Sequence, residues 1–165
     1  MSAGVRVVKD DVAKLLQTIK LIGGGGDVLI GIPAEEDART DSPIGNAAIG
    51  YIQEKGSSKQ GIPPRPFLEP GVAKVSDKCA DVIGRGAADA LTEMNPSAVL
   101  TAKNKAGLIA QNSVKATITA GEGFAPLAES TLAARKRRGV SRTKPLIDTG
   151  SLRNSITYVI RKAAK

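Results

Sequence analysis

The chain has 165 residues, 41% of them hydrophobic, which suits one compact domain and leaves too little material for two independent cores. It contains no His, one Cys (Cys79), no Trp, two Phe and two Tyr, so a core must be assembled from Ala, Val, Ile and Leu. The absent His and the lone thiol exclude zinc sites of the usual kind and an internal disulfide, and they point to assembly in a reducing compartment. No run approaches the roughly 18 apolar residues of a membrane span, and the first residues lack a secretory signal pattern, so a soluble protein made in the cytoplasm is expected.

The net charge of +8 is unevenly placed. Ten Lys and Arg lie from Arg135 onward against a single acid, Asp148, while the first 134 residues are about neutral. A basic tract of this kind can neutralise phosphates, meet an acidic partner surface or remain solvated.

In chain order, residues 5–8 offer a candidate strand. Val12, Leu15, Leu16 and Ile19 then recur at the spacing of one helical face, with Asp10 or Asp11 as N-cap. This first helix is expected to stop at Gly23-Gly24-Gly25-Gly26, a hinge or turn. The glycines precede the strand at residues 28–32 and no Gly-Lys-Ser/Thr follows them, so they do not form a phosphate loop. Residues 33–43 read as an exposed, flexible loop whose Glu35, Glu36, Asp37 and Asp41 match no calcium-loop spacing. Ile44, Ala47, Ala48, Tyr51 and Ile52 mark a second helix, closed by Gly56. Residues 56–64 form a second flexible loop, followed by a stiff Pro63-Pro64-Arg65-Pro66 run that fixes the directions of Arg65 and Phe67.

From Leu68 a stripe of Val72, Val75, Cys79, Val82, Gly86 and Ala90 predicts one helix of nearly thirty residues, with Pro70 tolerable in its first turn. Asn95-Pro96 starts another, with Val99, Ala102, Ala106, Ile109, Ser113 and Ala116 on its face. Two such helices form an antiparallel hairpin, and its Ala, Gly and Ser seam permits close approach. A short helix at residues 126–134 leads into the basic run Arg135, Lys136, Arg137, Arg138. Asp148-Thr149-Gly150 forms a turn, with Asp148 or Thr149 capping it and Gly150 at positive φ, leading to a last strand at residues 156–160 that pairs with residues 28–32. The fold class is therefore α+β, a single domain over residues 1–165 with a long helical hairpin packed on a small sheet of N-terminal and C-terminal strands. A two-stranded sheet is marginal alone, so either residues 5–8 or a neighbouring chain is expected to complete it.

The search for catalytic chemistry returns no nucleophile–base pair, and Cys79 reads as a core thiol. Ser58-Lys59 lies in a loop with nothing to hold it. Asp-Thr-Gly matches the aspartic-protease signature, but that chemistry needs a second carboxylate sharing a proton. No enzyme, cofactor or metal is expected.

Two segments stand apart from this background: Ile62-Pro63-Pro64-Arg65-Pro66-Phe67-Leu68, and Pro145-Leu146-Ile147-Asp148-Thr149-Gly150-Ser151-Leu152-Arg153-Asn154-Ser155-Ile156. In this order, about eighty residues apart, and with the intervening Pro126-Leu127-Ala128-Glu129-Ser130-Thr131-Leu132, they make residues 44–160 resemble the phage neck and tail-completion family. That family includes the virion-morphogenesis protein of phage Mu and the minor tail protein Z of lambda. Ser151 departs from the family's frequent Arg, and the tetraglycine and acidic loop have no counterpart in it.

The resemblance implies a non-catalytic virion subunit that joins or finishes the head–tail connection as a ring around the DNA channel, working with other neck, connector and tail-terminator proteins. Its location would be the virion, and the host cytoplasm during assembly. Arg65, Pro66, Phe67, Asp148, Thr149, Gly150, Leu152 and Arg153 are then the candidate interface or packing residues. Arg135, Lys136, Arg137, Arg138, Arg142 and Lys144 are the candidate contacts to DNA or an acidic partner. The competing expectation is a free, sequence-independent nucleic-acid-binding protein that uses the same basic segment, although stacking aromatics and a recognition motif are missing.

Overall fold

The computed structural model describes residues 11–24, 26–39 and 42–161. The expected strand at residues 5–8 lies outside them. Helix α1 (Val12–Gly24) leads to strand β1 (Asp27–Gly31), and helix α2 (Asn46–Lys55) follows. Then come α3 (Leu68–Ala73), α4 (Ser76–Thr92), α5 (Ser97–Ala120), α6 (Glu129–Arg137), α7 (Ser151–Ser155) and strand β2 (Thr157–Arg161). The fold is α+β: α4 and α5 pack as a long helical hairpin, and β1 pairs antiparallel with β2, Leu29 opposite Val159, against α5. No helix of the described residues is long and apolar enough to cross a membrane.

The core gathers Phe67, Val114, Ile118 and Ile156, with Ile30, Ile32, Leu68, Val72 and Ile147 packed around them. Small residues set the spacing, as expected of the seam. A side chain at Gly86 would run into Ala102, one at Gly107 into the Tyr158 ring, and one at Gly71 into the backbone of Val114. Close backbone approach substitutes here for the bulk that aromatics would otherwise supply.

Several elements depart from the sequence reading. The stripe from Leu68 is two helices, because the chain breaks at Lys74-Val75, where Val75 leaves helical geometry at φ −127° and ψ 9°. The break lets α3 lie on the far half of α5 while α4 covers the near half. On α5 the buried stripe accordingly drifts from Val99, Ala102 and Ala106 to Ala110, Val114, Thr117 and Ile118, one position beyond the expected Ile109, Ser113 and Ala116. Helix α1 ends at Gly24, within the tetraglycine, as expected. Its predicted core face is largely outside: Val12, Leu16 and Ile19 are 60%, 55% and 51% exposed, while Thr18 is buried. Helix α2 buries Asn46 and Gly50 instead of Tyr51, which is 70% exposed.

The two segments read as loops are hydrogen-bonded. Residues 34–36 make a single 3-10 turn, and the Asp37 carboxylate accepts from the Ala47 N–H at 2.6 Å, capping the start of α2. Ser57 and Ile62 pair across a bridge around a second such turn.

Cys79, expected as a core thiol, is half-buried on α4 and lies outside the core cluster. Its Sγ donates to the Ala106 carbonyl at 3.5 Å, and burial raises its pKa, an effect partly opposed by Lys78. A raised folded-state pKa gives stability that is complete below the unfolded pKa and is lost as pH rises through the folded value. At pH 8 a disulfide reagent should therefore label native Cys79 at least about tenfold more slowly than the urea-unfolded chain. Equal rates would show that the thiol is not held in this way.

Candidate functional site

The two motif segments and the basic run meet around one cleft of ≈ 650 Å³. Helix α2 supplies Gln53, the proline run supplies Arg65, and α6 supplies Arg135. The turn before α7 supplies Asp148, Thr149 and Gly150, with Leu152 beneath. Residues about eighty positions apart in the chain thus line one cleft.

Arg65 is 5% exposed and its guanidinium is fully engaged. Nε donates to the Ala125 carbonyl at 2.7 Å, Nη2 to the Pro126 carbonyl at 2.8 Å, and Nη1 to Gln53 Oε1 at 2.9 Å. Its own N–H donates to the Gln53 carbonyl at 2.7 Å. The planar fork ties α2, the proline run and the entry to α6 together, a geometry that Lys cannot reproduce. Burial, and next to it the charge of Arg135, lower the Arg65 pKa from its ordinary value.

Beside it, Glu54 receives the N–H groups of Phe67 at 2.7 Å and Leu68 at 2.9 Å through Oε2, and that of Glu69 at 3.2 Å through Oε1. This carboxylate caps α3 from a neighbouring helix and turns Phe67, 3% exposed, into the core. Pro66 stays exposed.

Asp148 is the hub of the opposite wall. Its Oδ2 accepts from Arg138 Nη2 at 2.7 Å, its carbonyl accepts from Arg142 Nη1 at 2.8 Å, and its Oδ1 stands 3.8 Å from Arg135 Nε. Neither of those last two atoms has a hydrogen-bond partner, so they form a buried ion pair at slightly long range. Arg135 Nη1 also donates to the Arg142 and Lys144 carbonyls, both at 2.9 Å. The sole acid of the C-terminal segment therefore folds the basic run around itself.

Thr149, not Asp148, caps the turn: its Oγ1 accepts from the Ser151 N–H at 3.3 Å. Gly150 sits at φ +92°, as expected. The turn then opens into α7, which the sequence reading missed, before β2 begins.

The expected DNA contacts need one correction. Arg135 is 5% exposed, with Nη1 on two backbone carbonyls and Nε facing Asp148, so it organises the loop and offers nothing to a partner. Arg138 and Arg142 are exposed but engaged with Asp148, and Lys144 Nζ donates to the Thr119 carbonyl at 3.1 Å. Arg153 Nε donates to Thr119 Oγ1 at 2.8 Å, locking α7 to the end of α5. Of this basic run, only Lys136 and Arg137 project to solvent with no hydrogen bond or ion pair among the described residues.

Asn46, Gln53 and Glu54 went unread in the sequence, and Asp37 was read only as one acid of a loop, because no local pattern marks a side chain that serves a distant backbone. Asn46 is 2% exposed and joins three segments: its Oδ1 accepts from Arg39 Nη1 and Ser151 Oγ, and its Nδ2 donates to the Glu36 carbonyl.

No family model matches the chain, and neither a curated protein nor a solved structure matches it.

Proposed function

We propose that this chain is a non-enzymatic structural subunit of a long-tailed bacteriophage particle, a neck or tail-completion protein that self-associates in a ring at the head–tail junction. The observation that carries this reading is the meeting of the Arg-Pro-Phe and Leu-Ile-Asp-Thr-Gly segments, the two that bear the family resemblance, as opposite walls of one hydrogen-bonded cleft. The hydrogen bonds of that cleft described above all hold chain segments in place. Such an arrangement suits a rigid building block, and the exposed apolar side chains of Val12, Leu16, Ile19 and Tyr51 leave surface for neighbouring subunits.

Two solvent-facing cations in the basic run, Lys136 and Arg137, are few for a protein that lives by phosphate contacts, since each neutralised phosphate adds to affinity and to its salt dependence. They suit weak, sequence-independent contact with DNA in transit, and this weighs against the free nucleic-acid-binding reading. Disrupting the gene in its phage should yield filled heads without tails together with unattached tails, and the wild-type gene supplied in trans should restore joined particles. Intact infectious particles from the disrupted phage would sink the proposal.

A further inference from the structure

Among the cations outside the cleft, Lys103 is the buried one. It is 7% exposed on α5, and its ammonium gives one of its three donors to the Gly26 carbonyl at 2.8 Å. No ion pair among the described residues reaches it. A buried charge is ordinarily paired, because taking an ammonium out of water is costly unless a counter-charge meets it. Lys103 lacks that counter-charge.

Lys103 and Gly26 both line a pocket of ≈ 550 Å³, where the end of α1 and strand β1 face α4 and α5. Small residues keep it open: Gly23, Gly24 and Gly26 of the tetraglycine on one side, and Ala80, Ala106 and Ala110 on the other. A Cβ built at Gly23 or Gly24 would meet nothing within 4 Å, so no neighbour has moved in to fill the space. Val28, Ile30, Val72 and Ile83 make the rest of the lining mostly apolar, and Cys79 also lies on the wall. Asp27 is there too, but it is exposed and forms no ion pair with Lys103.

We infer that this pocket binds an unbranched aliphatic carboxylate of about ten carbons, its head on the Lys103 ammonium and its chain along Val28, Ile30, Val72 and Ile83. An apolar lining with one placed charge is how small-molecule sites fix orientation, and two ammonium donors remain for the head. A molecule of this kind has about a dozen heavy atoms, which at roughly 30 Å³ each occupy about 360 Å³ and fit the space. Asp27 on the same wall disfavours a doubly charged head such as phosphate, so a monoanion is the better match. The tetraglycine, which forms no phosphate loop, thereby serves as a wall without side chains. The site needs neither the neck assignment nor self-association.

Decanoate and decanol, which share a chain and differ in head charge, are the probes. Each is titrated into the full chain by calorimetry, below the concentration at which it aggregates. Decanoate should bind the wild type about tenfold tighter than decanol, since the head meets a buried cation. Octanoate, two methylenes shorter, should bind about tenfold weaker than decanoate. Lys103→Met keeps the bulk of the stem and should abolish the preference for the anion while leaving decanol affinity within about twofold. Asp27→Asn should tighten decanoate about twofold and leave decanol unchanged. Equal affinities of the two probes for the wild type, or no saturation by either, would overturn the inference.

A second variant and a second readout place the ligand. Ala80→Leu, at an exposed position on the pocket wall, should fill the space and weaken decanoate about tenfold, which holds the test open even if Lys103→Met does not fold. Saturating decanoate should also slow maleimide labelling of Cys79 about fivefold in the wild type and have no effect on the rate in Ala80→Leu. Undiminished decanoate binding by Ala80→Leu, or unslowed labelling in the wild type, would put the ligand elsewhere and overturn the site.

Discussion

Replacing Arg65 with Met should lower the unfolding free energy by about 2–4 kcal/mol, measured by urea denaturation. Met keeps most of the buried stem, so the loss reports the fork. Three acceptors lose their donor at once: the Ala125 carbonyl, the Pro126 carbonyl and Gln53 Oε1. Left unmade, each buried group would cost about 1–3 kcal/mol, and such terms do not add when they share one donor. Two effects work the other way. Pro126 is exposed, so its carbonyl can turn to water. Removing a desolvated cation next to Arg135 also relieves the strain that lowers the Arg65 pKa. Arg65→Lys keeps the charge but reaches one acceptor at most, and should lose about 2 kcal/mol. A loss below about 1 kcal/mol for the Met variant would mean that the fork's bonds contribute little to holding the proline run against α6.

The contrast between Arg65 and its surroundings shows what the sequence made legible. The stiff Pro63-Pro64-Arg65-Pro66 run, the positive φ at Gly150, the Gly56 cap, the helical hairpin and the pairing of the terminal strands were all readable, because each depends on local backbone chemistry or on periodicity along one element. The Asn46, Gln53 and Glu54 roles were not readable, since they depend on which distant backbone the fold delivers to them. Periodicity misled on α1 for a related reason. It set Val12, Leu15, Leu16 and Ile19 on one face but could not say what the face meets: Leu15 is half-buried, while Val12, Leu16 and Ile19 are largely exposed. Charge counting misled on Arg135, because a count cannot tell a cation that serves Arg142 and Lys144 carbonyls from one that projects outward.

The small-residue seam yields the second large effect. Gly86→Ala should destabilise by about 1–3 kcal/mol even though Ala is the better helix former, because the added methyl runs into the Cβ of Ala102 on the facing helix. Without that contact the substitution would gain up to about 1 kcal/mol from the reduced freedom of the unfolded chain and the better propensity. Gly84 measures that gain, since it lies on the same helix and a methyl placed there would meet nothing within 4 Å. Gly84→Ala should accordingly stabilise by about 0.5–1 kcal/mol, the opposite sign two residues away.

The clash has one principal partner, so it also has one principal suppressor. The other atoms near Gly86 are the Ala98 carbonyl oxygen at 3.3 Å and Ala102 Cα at 3.5 Å, distances that a small shift accommodates. Ala102→Gly alone should cost about 1 kcal/mol in helix propensity. Combined with Gly86→Ala it moves the methyl from one helix to the other and restores the close approach. The double variant should come within about 1 kcal/mol of the wild type, and the coupling should have the sign of rescue. Simple addition of the two losses would show that α4 and α5 are not in contact at this pair, and the hairpin would need another register.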